Sequence, residues 1–335
     1  MKFNLFALAC IAAASEARSR RNDSSSASNE AKQEFLNWAS QNGLSYSGMD
    51  EFARRERTWL ETDRKIKETN RAAELSGDAS ALKLKHTVFS AMDEEERKKH
   101  MGLKLKEGAL QGRKKELEAK KDQEGGRRKL SLKSNHVDWA ASGHTGPVKD
   151  QGGCGSCYTF SSNTTLEARI AIETGNDYQR LSEQQIVDCA NWDATQYFWL
   201  YGCDGGYMSE VWWYQRDYGA MADADYPYVS GTTGEVGACM ENADQYVASV
   251  AEWGEVDGSS TANIASALEE GPLAIAVAAY SDTWFNYGGG IVTSDNSDCN
   301  PDWLDHAVVL VGYSEGGADS DELVVTERVE TTCRR

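Results

Sequence analysis

The chain has 335 residues, 40% of them hydrophobic and ten of them Trp, enough for about two domains with sizeable cores. Its formal charge of −18 divides unevenly: residues 1–130 carry 27 Lys and Arg against 21 Asp and Glu, net +6, and residues 131–335 carry 8 against 32, net −24. An anionic back half excludes nucleic acid as its main partner, and a cationic front half is expected to be drawn to it.

Residues 1–17 read as a signal peptide, with Lys2 as the charge, an apolar run over 3–14 and Ser15-Glu16-Ala17 as a small-residue cleavage site. The run is too short to span a bilayer, and no later segment has eighteen uninterrupted apolar residues. The expected product is therefore soluble, free of membrane after signal removal, and has passed an oxidising compartment where cysteines can pair. Residues 18–30, rich in Ser, Asn and Arg, fit a flexible spacer, with Asn22-Asp23-Ser24 as a glycan acceptor.

From residue 31 to about 70 the pattern is helical, with Phe35, Trp38 and Ala39 on one face and Phe52, Trp59 and Ile66 at seven-residue steps. Glu51 and Arg55 stand four apart and form an ion pair on such a helix. Residues 104–130 are dominated by Lys, Arg, Glu and Gly, and Gly125-Gly126-Arg127-Arg128-Lys129 reads as an exposed, protease-accessible linker that places a processing boundary near 128–134.

The stretch Gln151-Gly152-Gly153-Cys154-Gly155-Ser156-Cys157-Tyr158-Thr159-Phe160 puts a thiol where a glycine-rich turn gives way to a helix. At a helix N-terminus unpaired N–H groups and the dipole favour the thiolate, so Cys157 is a candidate nucleophile. Gln151, six residues upstream, supplies a side-chain N–H donor that could face an oxyanion. On its spacing alone, Cys154-x-x-Cys157 fits a redox or zinc pair better. Asn163-Thr164-Thr165 is a second glycan acceptor, but inside the nucleophile helix.

Ser182 reads as the N-cap of a helix running to Cys189. Tyr197-Phe198-Trp199-Leu200 is expected to fold under a loop. From Val247 on, short apolar runs at 272–277, 288–292 and 307–313 read as buried strands. Helices first and strands after imply an α+β, two-lobed domain with a cleft between the lobes. His306 begins the last run, 149 positions after Cys157, while the other histidines lie far forward in the chain.

Cys154-Gly155-Ser156-Cys157-Tyr158, with His306 at that separation, resembles the nucleophile region of papain-like (cathepsin-like) cysteine proteases. Glu51, Arg55, Trp59, Ile66 and Asn70 are similar to the interrupted Glu-Arg-Phe-Asn-Ile-Asn motif of their propeptides, with Trp for Phe and Thr62 for the first Asn. The resemblance implies a papain-like domain, a helical lobe plus a β-barrel-like lobe, preceded by a helical propeptide and lacking its C-terminal strands. Its divisions would be a propeptide at 18–130, with an inhibitor domain at 31–107 and a charged linker at 108–130, and a peptidase domain at 131–335 that diverges after about 322.

By the same resemblance Cys157, His306 and Gln151 are catalytic, Cys157 and His306 as a thiolate–imidazolium pair. The Gly205-Gly206 backbone would hold substrate, and Tyr207, Met208, Ala276, Leu304, Asp305 and Ala307 would line the pocket for the residue two before the cleaved bond. Cys154 is paired with Cys203 and Cys189 with Cys239. The implied protein is a zymogen-derived endopeptidase of the lysosome, vacuole or extracellular space, likewise monomeric, acting on proteins or peptides, inhibited by its own propeptide and using no metal or cofactor. The alternative is an inactive relative serving as inhibitor or binding module, because the family's Asn-Ser-Trp-Gly element, whose Asn orients the imidazole, does not follow His306. Shifted by one nucleotide, the codons of residues 323–329 can encode Trp-Trp-x-Arg-Asn-x-Trp, so the tail from about 323 is expected to be read out of frame.

Overall fold

The structure, a computed structural model, describes residues 29–105, 136–191, 197–258, 261–293 and 303–314. The signal segment, the spacer with Asn22, the linker with its processing boundary, Cys299, Cys333 and the tail from 315 lie outside the described residues.

The front of the chain is helical, and not in one piece. A helix over 29–41 (α1) is followed by a break at 42–48 and then by α2, Met49–Ser76. Phe35, Trp38 and Trp59 from the two helices form an aromatic cluster with Ala39 and Ala91, which is why the seven-residue stripe was visible. α2 stops at Gly77, whose φ of 68° completes a left-handed cap. A short strand β1, Lys83–Leu84, leads to α3, Glu94–Lys98, which begins with a capping box in which Asp93 accepts from the Glu96 amide and Glu96 from the Asp93 amide. Arg55 reaches Glu51 at 3.5 Å and also pairs with Glu96 at close range, so its main role is to tie α2 to α3.

The second part has two lobes. In the helical lobe, α4, Cys157–Thr174, packs against α5, Glu183–Cys189, and α6, Met208–Asp217. Ser182 caps α5 by accepting from the Gln185 amide. A wholly buried ion cluster stitches this lobe: the Lys149 Nζ lies 2.7 Å from Glu167 and 2.6 Å from Glu183. In the other lobe β5, Leu273–Val277, pairs antiparallel with β7, His306–Leu310, in a register that sets Val277 opposite His306. β2, His136–Asp138, pairs with β8, Gly312–Ser314. No helix among the described residues is long and apolar enough to cross a membrane.

Four expectations need correction. The run at 307–313 is two strands separated at Val311. The run at 288–292 is not an independent buried strand: β6, Tyr287–Gly289, pairs with β1 of the front part. Of the aromatic stretch, Phe198 and Leu200 are buried, but Tyr197 and Trp199 are exposed. Asn163 is wholly buried, its Oδ1 accepting from Gln215 at 2.8 Å, so no glycan can sit there in the folded chain.

Candidate active site

The turn that carries the thiol is held from two sides. Gly155 donates to the Cys203 carbonyl at 2.9 Å, and a Cβ on it would lie 2.5 Å from that oxygen. Only glycine fits, and the bonded pair Cys154–Cys203 keeps the contact in place. A second bond joins Cys189 to Cys239, so neither half of the Cys154-x-x-Cys157 spacing is a dithiol: Cys157 is a free, buried thiol at the first position of α4. On the opposite side Gly152, at φ 59°, abuts the Gly231 carbonyl, which accepts from Gly153 at 2.7 Å.

Gln151 turns its side-chain amide inward, donating to the Cys154 carbonyl and to the His100 carbonyl, both at 2.9 Å. His306, at the start of β7, faces the same space, with the Trp284 ring edge-on at 6.4 Å. Cys157, Gln151, His306 and His100 line one cavity of about 120 Å³. The topology thus gathers the three sequence-predicted catalytic residues, from a turn, a helix start and a strand start.

The cleft itself is filled by the front part. Gly206 donates to Gly102 at 2.9 Å, Lys104 donates back to Gly206 at 2.8 Å, and Leu103 donates to the Asp305 carbonyl at 3.1 Å. The pairing of Leu103 with Gly206 is parallel. Leu103 joins the apolar cluster of Met208 and Ala307, with Tyr207, Ala276 and Leu304 packed against it. Asp305 belongs to this region by its main chain. Its carboxylate accepts from the Ala279 and Tyr280 amides at 2.8 and 3.2 Å, so it is committed elsewhere. Gly205, at φ 107°, crosses Gly102 so closely that a Cβ would meet the Gly102 oxygen at 2.6 Å.

This occupant changes the electrostatics. Burial pushes the Cys157 thiol up to about 12, although the amides of Ala307, Gly102 and Tyr158 approach the sulfur and oppose the rise. Burial, and after it the charge of His100, pushes the His306 imidazole down to about 4, and its Nδ1 has no hydrogen-bond partner among the described residues. Under the front part burial thus disfavours the thiolate–imidazolium pair expected from the sequence and favours both groups neutral. Removing water favours neutral partners, and no fixed countercharge among the described residues compensates.

Sequence reasoning set His100 aside and passed over Gly102 and Leu103. The only local signal was Met101-Gly102-Leu103, a glycine between two apolar residues after a charged helix.

Comparison with known proteins gives a consistent picture. Residues 133–325 match the papain family cysteine proteases, and residues 35–96 match the cathepsin propeptide inhibitor domain (I29). The chain is similar to a cysteine proteinase of Trypanosoma brucei brucei, 38% identical over 182 residues that make up 53% of this chain and 37% of that protein. It is similar to procathepsin L of Mus musculus, 34% identical over 187 residues, 56% of this chain and 52% of that one. It thus spans about half, or less, of the length of these curated relatives. Among solved structures it is similar to digestive procathepsin L 3 of the Tenebrio molitor larval midgut, with a TM-score of 0.67 and 26% identity over 86% of this chain and 85% of that one.

Proposed function

The chain belongs to the papain family of cysteine proteases and carries a cathepsin-type propeptide inhibitor domain; on that premise we propose that it is a cysteine endopeptidase made as a zymogen and directed into the secretory pathway, for the lysosome, the vacuole or the outside. The observation that carries this reading is the strand from Gly102 to Lys104, which lies across the thiol with both main-chain bonds of Gly206 satisfied. A substrate strand would use the same bonds. The His100 carbonyl on the Gln151 amide marks where a developing oxyanion would sit.

Once the front part leaves and water returns, the penalty that keeps both groups neutral is lifted. The thiol falls, the imidazole rises, and the helix start at Cys157 favours the thiolate. Cys157 Sγ then attacks the peptide carbonyl, His306 passes its proton to the leaving amine, and a water, deprotonated by His306, cleaves the thioester. Gln151 and the Cys157 amide would hold the oxyanion, a type of contact whose removal costs about 2.7–4 kcal/mol. The signal, propeptide and peptidase divisions at 17 and 130 belong to the same reading, as does activity as a monomer.

Leu103 in its cluster supports a preference for Leu, Val or Phe two residues before the cleaved bond. A peptide library favouring Arg there would mean that Asp305 turns back into the pocket. The central test is labelling with a mechanism-based thiol probe after removal of the front part. The wild type should label at Cys157, and Cys157→Ala should lose labelling and turnover while melting as before, because a small change at a helix start opens little cavity. Turnover in Cys157→Ala refutes the assignment, and a wild type that never labels points to a binding or inhibitory role.

A further inference from the structure

Tyr228 touches none of the groups assigned to the chemistry by their reacting atoms, yet its phenol joins the two ends of the turn that carries them. The phenol oxygen lies 2.8 Å from the Gln151 carbonyl oxygen, which can only accept, so the phenol proton is committed there. Ser156 Oγ lies 2.7 Å from the same phenol oxygen and must then be the donor. Ser156 is wholly buried, directly precedes Cys157, and stands at the N-cap of α4 without its side chain accepting from the helix amides, its Oγ lying only at 3.5 Å from the Cys154 carbonyl otherwise. A directed chain of hydroxyls therefore runs from Ser156 through Tyr228 to the Gln151 main chain, each bond polarising the next.

The phenol is itself fixed. Phe160 from α4 meets its ring edge-on at 4.9 Å. The residues after it are pinned by Gln184 of α5, whose Oε1 accepts from the Val229 and Ser230 amides at 2.8 and 3.0 Å. The same segment takes the Gly153 amide on the Gly231 carbonyl. Burial raises the phenol above its ordinary value, so it keeps its proton across the working range.

We propose that Tyr228 is a positioning residue for the peptidase reaction: by bridging Ser156 and the Gln151 carbonyl it sets where the Gln151 amide stands relative to the Cys157 thiol and amide. This rests on the reading of Gln151 as an oxyanion donor. A donor displaced by a fraction of an ångström weakens in the transition state and not in ground-state binding, so the effect belongs in kcat.

The test compares wild type, Tyr228→Phe, Ser156→Ala, Gln151→Ala and the Tyr228→Phe/Gln151→Ala double variant, each matured from the full chain. Turnover of a peptide amide, alkylation of Cys157 by iodoacetamide and melting are measured for each. Tyr228→Phe should lower kcat about tenfold with KM and alkylation within about twofold, since alkylation needs no oxyanion site. Ser156→Ala, which leaves the ring and its packing in place, should show the same pattern at about threefold. In the Gln151→Ala background the phenylalanine should change kcat by less than about twofold, because the donor it positions is gone. An unchanged kcat in Tyr228→Phe, full additivity with Gln151→Ala, or a parallel fall of kcat, alkylation and melting overturns the proposal. A wild type that neither alkylates at Cys157 nor turns over overturns the peptidase reading itself and this inference with it. A wild type that does both beside an unaffected Tyr228→Phe overturns this inference alone.

Discussion

At Gly102 a missing side chain keeps the cleft closed. A Cβ there would stand 1.8 Å from the Gly155 oxygen and 2.3 Å from its carbon, main-chain atoms that the Cys203 contact holds still. Gly102→Ala should therefore leave the front helices folded but unseat the cleft segment. In the uncleaved chain, alkylation of Cys157 should rise by about tenfold or more, since even 1.4 kcal/mol of lost seating changes the open fraction by that factor. The histidines add a pH dependence whose sign follows from burial. His306 is held neutral down to about 4, and burial also lowers His100. In the open form His306 takes its proton from Cys157, so that pair gains none in net. His100 has an ordinary value near 6.5, and below it the solvated, open form binds a proton that the closed form refuses. The closed form is thus unaffected by His100 above about 6.5 and loses stability as pH falls below it. Glu183 acts the other way on the fold as a whole. Burial pushes it up to about 7 despite Lys149, so its contribution is full below its ordinary value and fades as pH rises through about 7. Acid should open the chain without unfolding it. Alkylation of Cys157 followed from pH 7 to 4.5, beside the melting curve at each pH, checks both signs, and a flat alkylation profile contradicts the first.

At the scale of elements, the front part grips a short helix and strand of the papain-like part. Asp282 starts that helix, Asp282–Phe285, and receives Arg97 from α3 at 2.7 Å and Lys65 from α2 at close range. Burial alone would raise its carboxyl, but the two cations hold it below the usual range. Arg97 also lies 5.2 Å from the Phe285 ring, Thr87 donates to the Phe285 carbonyl at 2.7 Å, and Ser90 donates to Asn286 at 2.9 Å. Asp282→Asn would leave two cations on one amide. It should weaken the closed state by about 1.5–3 kcal/mol, seen as faster alkylation of Cys157 in the uncleaved chain with melting of the matured peptidase unchanged. A variant as slow to alkylate as wild type would mean the main-chain pairing alone carries the grip. The same elements show what the sequence reveals and what it conceals. α2 was legible because Trp59 and Ile66 repeat along one buried stripe, and α5 because Ser182 advertises its cap. β7 was legible because five consecutive residues from His306 are buried on both faces. β6 was not, since its strand state depends on Lys83 and Leu84, about two hundred positions earlier, and nothing in Tyr287-Gly288-Gly289 encodes that partner. The cleft residues were half legible: Cys157, Gln151 and His306 have side chains whose chemistry suggests a role, whereas the Gly102 contact and the Tyr228 bridge are geometry that only the fold supplies.

For the whole molecule, the charge split makes a graded statement. A +6 front over a −24 back attracts at long range, but such attraction between exposed charges is screened beyond about 8–10 Å at ordinary ionic strength. Lys65 is exposed and its hold on Asp282 should yield to salt, while Arg97, mostly buried on the same carboxylate, should yield less. The main-chain bonds of Gly102 and Lys104 to Gly206, and Leu103 in its apolar cluster, should not yield at all. Raising salt from about 0.05 to 0.5 M at pH 7 should therefore speed alkylation of Cys157 in the uncleaved chain only several-fold, because the Debye length shrinks from above 10 Å to below 8 Å without touching the dry contacts. Lowering pH to 4.5 should act more strongly, since it protonates part of the carboxylate surface and also charges His100, whose protonation burial in the closed form opposes. The two perturbations should also overlap. Once the carboxylates are protonated at pH 4.5 there is less attraction left for salt to screen, so the salt effect should be smaller there than at pH 7. Equal alkylation rates at both salts and both pH values would show that the front part is held by shape and main-chain pairing alone, and that the charge asymmetry has no part in keeping the cleft closed.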